Sequence, residues 1–293
     1  MNESDGRLPE SPPAMATVRP SYFRVACTFL RNSLVRDMMF RTNFLIDTIS
    51  SIVWVLVNLG FYVLIFEYTP MIGVGTGWGK YQFFLFLGTT LLINSLTRGL
   101  FLSNAIELSE HIRNGTLDFI LLKPIDTQFL VSLGRIEWAA AGPFGFGVVL
   151  IGYAFWQLGY APAPLAVVLF GFYVVCGCAI YYSLMIALSA TAIWFGRNQS
   201  LLDFWFYITN FSRYPMEIYR GPWGDPLRWT FTFLVPVLLA VNIPARMIVR
   251  PLDIQTAADW TLPVFTVLAT FIGLVVSRRI FQRALLSYRS ASS

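Results

Sequence analysis

Glu110-His111-Ile112-Arg113-Asn114-Gly115-Thr116-Leu117-Asp118, running on to Leu121-Leu122-Lys123-Pro124, is a polar interval between two long apolar runs, 81–106 and 136–158. Roughly 20 apolar residues of helix cross the hydrocarbon of a bilayer, so each run is a membrane span and the interval between them lies in water. It falls on the same side as the basic N-terminal region. Because Lys and Arg gather on the cytoplasmic side of membrane proteins, both are expected in the cytoplasm.

Composition agrees with a bilayer setting. Hydrophobic residues make up 56% of the chain, aromatic residues 16% and charged residues only 13%, with a mean hydropathy of +0.61. That leaves too few charged groups to coat a soluble globule of 293 residues. The expected class is an all-α integral membrane protein. The net charge of +5 comes from arginines beside apolar runs rather than from a soluble basic domain, so it predicts orientation and lipid contact and no nucleic-acid partner. Cys27, Cys176 and Cys178 make neither a disulfide framework nor a metal pattern.

Residues 1–20 are polar and proline-rich, without an apolar stretch of signal-peptide type, and read as a disordered tail. In residues 21–42, Phe23, Cys27, Leu30, Leu34 and Met38 fall on one helical stripe, with Arg24, Arg31, Arg36 and Arg41 at its edges or opposite. This spacing predicts an amphipathic helix lying in the headgroup layer. Apolar runs follow at 43–66, 81–106, 136–158 and 165–195, then a weaker one at 200–213, another at 228–249 and the last at 260–280, with 282–293 as a tail. In one arrangement 200–214 crosses and 228–249 dips into the outer leaflet and returns. In the other, 228–249 crosses, which brings Arg213, Arg220 and Arg228 inside and gives the better inward excess of positive charge. Pro236 and Pro244, with Asn242 and Arg246 in the same run, argue for the broken re-entrant form, since a lipid-facing helix would leave their polar groups unanswered. Either way the chain crosses six times and both termini lie inside.

The order of an interfacial N-terminal helix, two spans, a segment reading G-T-L-D-x-x-L-L-K-P over Gly115–Pro124, and four further crossings resembles the membrane subunit of ABC-2 type exporters. It is most similar to the compact bacterial branch in which permease and ATPase are separate chains. A second stretch carries the same resemblance: Pro215, Pro222, Pro226, Pro236 and Pro244 punctuate the region before the last span. The resemblance implies a six-span transmembrane domain over 43–281, a cytoplasmic coupling segment over 107–135 and an outer re-entrant segment over 215–259. It also implies a bacterial inner-membrane location, a second permease copy or paralogue, a separate cytoplasmic ATPase subunit that binds ATP and Mg, and export as the activity. Within 107–135 it points to Glu110, His111, Arg113, Gly115, Thr116, Leu117, Asp118, Lys123 and Pro124 as the ATPase-coupling residues. Asn114-Gly115 is expected to break the second span's extension, Thr116 to cap a short helix, and Leu117, Phe119, Leu121 and Leu122 to give that helix an apolar face.

No cofactor site is expected in the chain itself. The nearest match to a phosphate-binding loop is Gly73-Val74-Gly75-Thr76-Gly77-Trp78-Gly79-Lys80-Tyr81. It has Val74 where Gly is needed and Tyr81 where a Mg-binding hydroxyl belongs, so it reads as a glycine-rich turn. A single histidine, His111, provides no ligand set for metal chemistry, so no catalytic residue is assigned and the chain is not expected to be an enzyme. Intramembrane polar groups carry the remaining signal: Asp47, Asn58, Asn94, Arg98 and Glu137. Arg98 has Glu107, Glu137 and Asp47 within its possible reach, while Asn58 and Asn94 suit either a pathway or interhelical hydrogen bonds. Gly142, Gly145 and Gly147 suit close helix packing. A secondary transporter would need mid-membrane acids for ion coupling, which the sequence does not clearly supply. A non-transporting scaffold fits the composition but leaves residues 110–124 unexplained.

Overall fold

The computed structural model describes residues 21–73, 75–195, 199–249 and 260–288, and among these it contains helices and no strand. The expected tail 1–20, residues 289–293 of the tail expected over 282–293, and residues 250–259 of the expected outer segment lie outside the described residues; the last helix runs on to Ser287, so residues 282–287 are helix rather than tail. Helix α1 (Tyr22–Met39) has Phe23, Cys27, Leu30, Leu34 and Met38 exposed, while Ser33 is buried on its other side. The helix ends at Phe40 (φ −104°, ψ 45°), and α2 (Arg41–Tyr68) begins directly after it. Arg41, expected at the end of the first helix, is therefore the first residue of the second.

Five helices are long and apolar enough to cross a bilayer: α2, α3 (Lys80–Arg113), α6 (Trp138–Leu158), α7 (Pro164–Phe195) and α11 (Thr261–Ser287). Two short helices, α4 (Leu117–Leu121) and α5 (Thr127–Leu133), fill the interval between α3 and α6. Between α7 and α11 come α8 (Gln199–Asn210) and then a pair, α9 (Gly224–Leu234) and α10 (Val237–Val249), bent by 87°. Counting that pair as one crossing would make six by length and composition.

The α2–α3 connection is the glycine-rich turn. Gly73, Gly75 and Gly77 have φ of +75°, +70° and +75°, a region that side chains disfavour. The turn is closed by the Ile72 amide donating to the Trp78 carbonyl at 3.1 Å.

Helix α10 is the most enclosed element: every residue in it except Arg246 is buried. The sequence led us to expect breaks at both Pro236 and Pro244. Only Pro236 lies at the bend, and α10 runs straight through Pro244. Pro244 has no N–H for the carbonyl four residues back, that of Ala240. That oxygen lies directly against Gly177 of α7, where a Cβ would overlap it. The bare glycine lets the two backbones meet, and the freed carbonyl is covered by protein rather than lipid. A second close approach joins α3 to α6. A Cβ at Gly88 would stand 2.6 Å from Ile151 Cγ1, and one at Gly147 would stand 3.0 Å from the Gly88 carbonyl oxygen. Of the glycines expected to serve packing, Gly142 and Gly147 do so, whereas a Cβ at Gly145 would meet nothing within 4 Å.

Gly177→Val should lower the thermal midpoint in detergent by roughly 5–10 °C, the cost of overpacking a filled contact. Gly152→Ala, at a position where a Cβ meets nothing within 4 Å, should change it little. Equal effects of the two would show that α7 and α10 do not depend on that approach.

Candidate functional site

Beyond Arg113, Asn114 closes α3 and Gly115 turns the chain with φ +67°. Thr116 does not cap α4 as expected. Its hydroxyl faces back to His111, with Nδ1 and Oγ1 2.7 Å apart, so the imidazole occupies the group that would have met the helix amides. The apolar face expected on α4 is divided between two environments. Leu117 is 0% exposed, packed with Leu108, Val131, Ile186, Ala190 and Phe281, which belong to α3, α5, α7 and α11. Phe119 and Leu122 point away from that cluster and are 70% and 81% exposed, with Leu121 also exposed. Glu110, Arg113, Lys123 and Pro124 are exposed as well. Asp118 lies beside Tyr288 past the end of α11, whose phenol pKa is raised by burial and then by that carboxylate.

Helix α5 is tied down from three directions. Asp126 accepts from the Phe129 amide at 2.9 Å, capping the helix, and takes both Nη atoms of Arg278 on α11, with Nη1 at 2.9 Å. Arg278 Nη1 also donates to Gln128 Oε1 at 2.9 Å. Gln128 Nε2 in turn donates to the Tyr182 hydroxyl on α7 at 2.8 Å, a hydroxyl that also lies 2.9 Å from Ser132. Tyr22 of α1 meets Phe129 edge-on, ring centres 5.0 Å apart. The Arg278 guanidinium holds the Asp126 carboxyl below the usual carboxylate range despite its partial burial, with help from the Phe129 amide. None of these ties was expected from the sequence. The one signal available was Asp126 at the first position after a proline-containing turn, an N-cap pattern.

The return into α6 is pinned as firmly. Helix α3 makes a π-helical turn at Arg98–Leu102, and its displaced carbonyls find partners: Leu100 accepts from Asn104 Nδ2 at 2.8 Å and Gly99 from the Glu137 amide at 2.8 Å. Of the three acids within Arg98's expected reach, Glu137 is the partner, at 3.0 Å, and Ser103 donates to its other oxygen at 3.1 Å. Glu107 pairs instead with Arg135 at 2.6 Å. The backbone between α5 and α6 receives Ser33 and Asp37 from α1, which accept from the Ile136 and Trp138 amides at 3.0 and 3.3 Å. Asp47 joins none of these bonds.

Asn58 and Asn94 line one small cavity of about 60 Å³ together with Tyr62, Thr90 and Arg213. Asn58 spends its amide on the Trp54 carbonyl at 2.8 Å. At the glycine-turn end of the bundle, buried Glu217 accepts from Trp78 Nε1 at 3.1 Å and pairs with Arg246 of α10, while Asn242 accepts from the Met216 amide at 2.7 Å. The Tyr160 hydroxyl, just after α6, donates to the Ile248 carbonyl. The residues before α9 and those at the end of α10 thus sit at the same end of the bundle. Of the prolines expected in this segment, Pro215 starts a short 3₁₀ turn, Pro226 lies within α9, Pro236 is at the bend and Pro222 is in the turn before α9. Trp78 and Glu217 escaped the sequence analysis because their partners are 139 and 29 residues away. Among the described residues, no group of three His, Cys, Asp or Glu stands close enough to hold a metal ion.

A protein-family model described as ABC-2 family transporter protein matches residues 52–292, most of the chain. No curated protein and no solved structure matches it.

Because the Asp126 pKa is lower in the folded chain than its free value, the stability it contributes is present above the ordinary carboxylate pKa and lost as pH falls through the depressed one. Amide exchange in 127–133 should therefore be steady from pH 8 to 5, after correction for intrinsic rates, and rise only below about 4. Asp126→Asn should raise it at neutral pH. Unchanged protection in that variant would mean that the bridge does not hold α5.

Proposed function

The chain belongs to the ABC-2 family of transporter proteins, and from that premise we propose that it is the permease subunit of an ATP-driven exporter, coupled to a separate cytoplasmic ATPase. The observation that carries this reading is the two-faced α4. One face, through Leu117, is sunk among the ends of α3, α7 and α11; the other offers Phe119 and Leu122 to water amid charged residues. Exposed apolar groups with a charged rim suit a protein partner. A push on such an element moves the helices welded beneath it, which is what a motor needs from a lever. ATP and Mg belong to the partner, and the chain itself performs no catalysis.

Orientation follows from the same proposal. The end that holds α1, α4 and α5 is cytoplasmic, in a bacterial inner membrane, with both termini there. Helix α8 completes a short crossing, and α9 and α10 form an outer re-entrant pair. The buried Glu217–Arg246 pair supports this, since it brings the approach to α9 and the end of α10 to one side. Helix α1, with its apolar stripe exposed, lies along the inner surface. The broad exposed face of α2 is available to lipid or to the second permease copy with which the exporter works as a dimer.

Purification in mild detergent should bring down an ATPase chain with the wild-type protein. Phe119→Asp with Leu122→Asp should lose that chain while the permease stays monodisperse, and Arg113→Glu or Asp118→Lys should at least weaken coupled ATP hydrolysis. Normal assembly and turnover in all of these would remove α4 from the mechanism.

A cysteine at Asp225, on a background lacking the native ones, should react with an impermeant maleimide applied from outside intact cells. Labelling only after the membrane is opened would mean that α9 and α10 cross together.

A further inference from the structure

The elbow between α1 and α2 encloses a cavity of about 280 Å³ that the coupling scheme does not use. Its walls carry Arg36 and Phe40 at the end of α1, Asn43 and Asp47 on the first turns of α2, and Arg135 and Glu137 on the return into α6. Most of the acids there already have partners: Glu137 is held by Arg98 and Ser103, and Asp37 accepts from the Trp138 amide. The remaining groups are unmatched. Nε and Nη2 of Arg36 and Nε of Arg135 are buried atoms without a hydrogen-bond partner, and Arg36 Nε stands 3.7 Å from Asp37, beyond hydrogen-bond range. Across from them, the exposed Asp47 carboxylate makes no hydrogen bond or ion pair among the described residues, and neither does the Asn43 amide.

Both arginine side chains nevertheless keep exposed surface, 38% for Arg36 and 42% for Arg135, where an anionic acceptor would meet their free N–H groups, and Asp47 would accept from a cationic donor on the same ligand. A phosphate ester joined to a primary ammonium offers both in one small group. Phe40 on the cavity wall is 62% exposed, and Leu45, Ile46 and Ile49 on the adjoining turns of α2 are exposed at 54%, 56% and 58%. Acyl chains would extend along these residues. We propose that this elbow binds the phosphoethanolamine headgroup of a phospholipid, with phosphate on Arg36 and Arg135 and ammonium on Asp47 and Asn43.

The test is native mass spectrometry of the full-length protein in detergent, titrated with palmitoyl-oleoyl phosphatidylethanolamine, phosphatidylglycerol and phosphatidylcholine. One phosphatidylethanolamine per permease should be retained about tenfold more tightly than either of the others, the value of one charge-assisted hydrogen bond. Phosphatidylcholine has the charge but no N–H for Asp47. Asp47→Asn should abolish the preference over phosphatidylglycerol, and Arg36→Gln should weaken both. Soluble glycerophosphoethanolamine at matched concentration should fail to displace the lipid. Equal retention of the three lipids, tightest retention of phosphatidylglycerol, an unaltered preference in Asp47→Asn or displacement by the soluble headgroup would each overturn the assignment. Should Arg36→Gln fail to fold, the surface-exposed Asp47→Asn still decides.

Discussion

Backbone amides and carbonyls inside a bilayer have no water to turn to, so each departure from regular helix must be answered by protein. Three departures from regular helix among the described residues are answered in this way. The π-helical turn at Arg98–Leu102 gives its carbonyls to Asn104 and to the Glu137 amide. The stretch before α6 gives its amides to Ser33, Asp37 and Asn104. The proline in α10 leaves a carbonyl that Gly177 covers. The answering groups come from distant elements, so the irregular places are also where the helices are fastened together.

A mechanical consequence follows. The π-helical turn lies on the same continuous helix that leads into α4, and it is bonded to Glu137 at the start of α6, where α1 is bonded in turn through Ser33 and Asp37. Below it, Arg278 and Tyr182 tie α5 to α11 and α7. A force applied at Phe119 and Leu122 would therefore reach several spans through short polar contacts, which have directional geometry that apolar packing lacks. At the other end, the enclosed α10 and the Trp78–Glu217–Arg246 group give the bundle a second fixed region.

The five long helices were legible in the sequence because each is a long apolar run, and α4 was legible because Gly115 must turn the chain. Leu117 and Leu122 could not be told apart: one starts the five-residue helix and the other caps its end, and only the fold decides which faces inward. Pro244 was misjudged as a break because its compensation lies on α7, at a glycine 67 positions earlier that no local pattern marks. Thr116 was misjudged because His111, one turn back, offered its hydroxyl a competing partner. Arg98 was placed among the right acids, but which one it meets depends on how the 134–138 stretch folds back. The family resemblance, carried by the G-T-L-D and L-L-K-P residues and the prolines before the last long helix, agrees with the match over 52–292.

The claim at the centre of the account is that the exposed side of α4 is where a motor subunit sits. A photo-crosslinking residue at position 122, activated in native membranes, tests it most directly, with one at position 117 as the buried comparison. The account predicts a crosslink from 122 to a soluble ATPase chain, and from 117 only within the permease. Crosslinks from 122 to lipid, to another permease copy or to nothing, in membranes that hold the active transporter, would contradict it.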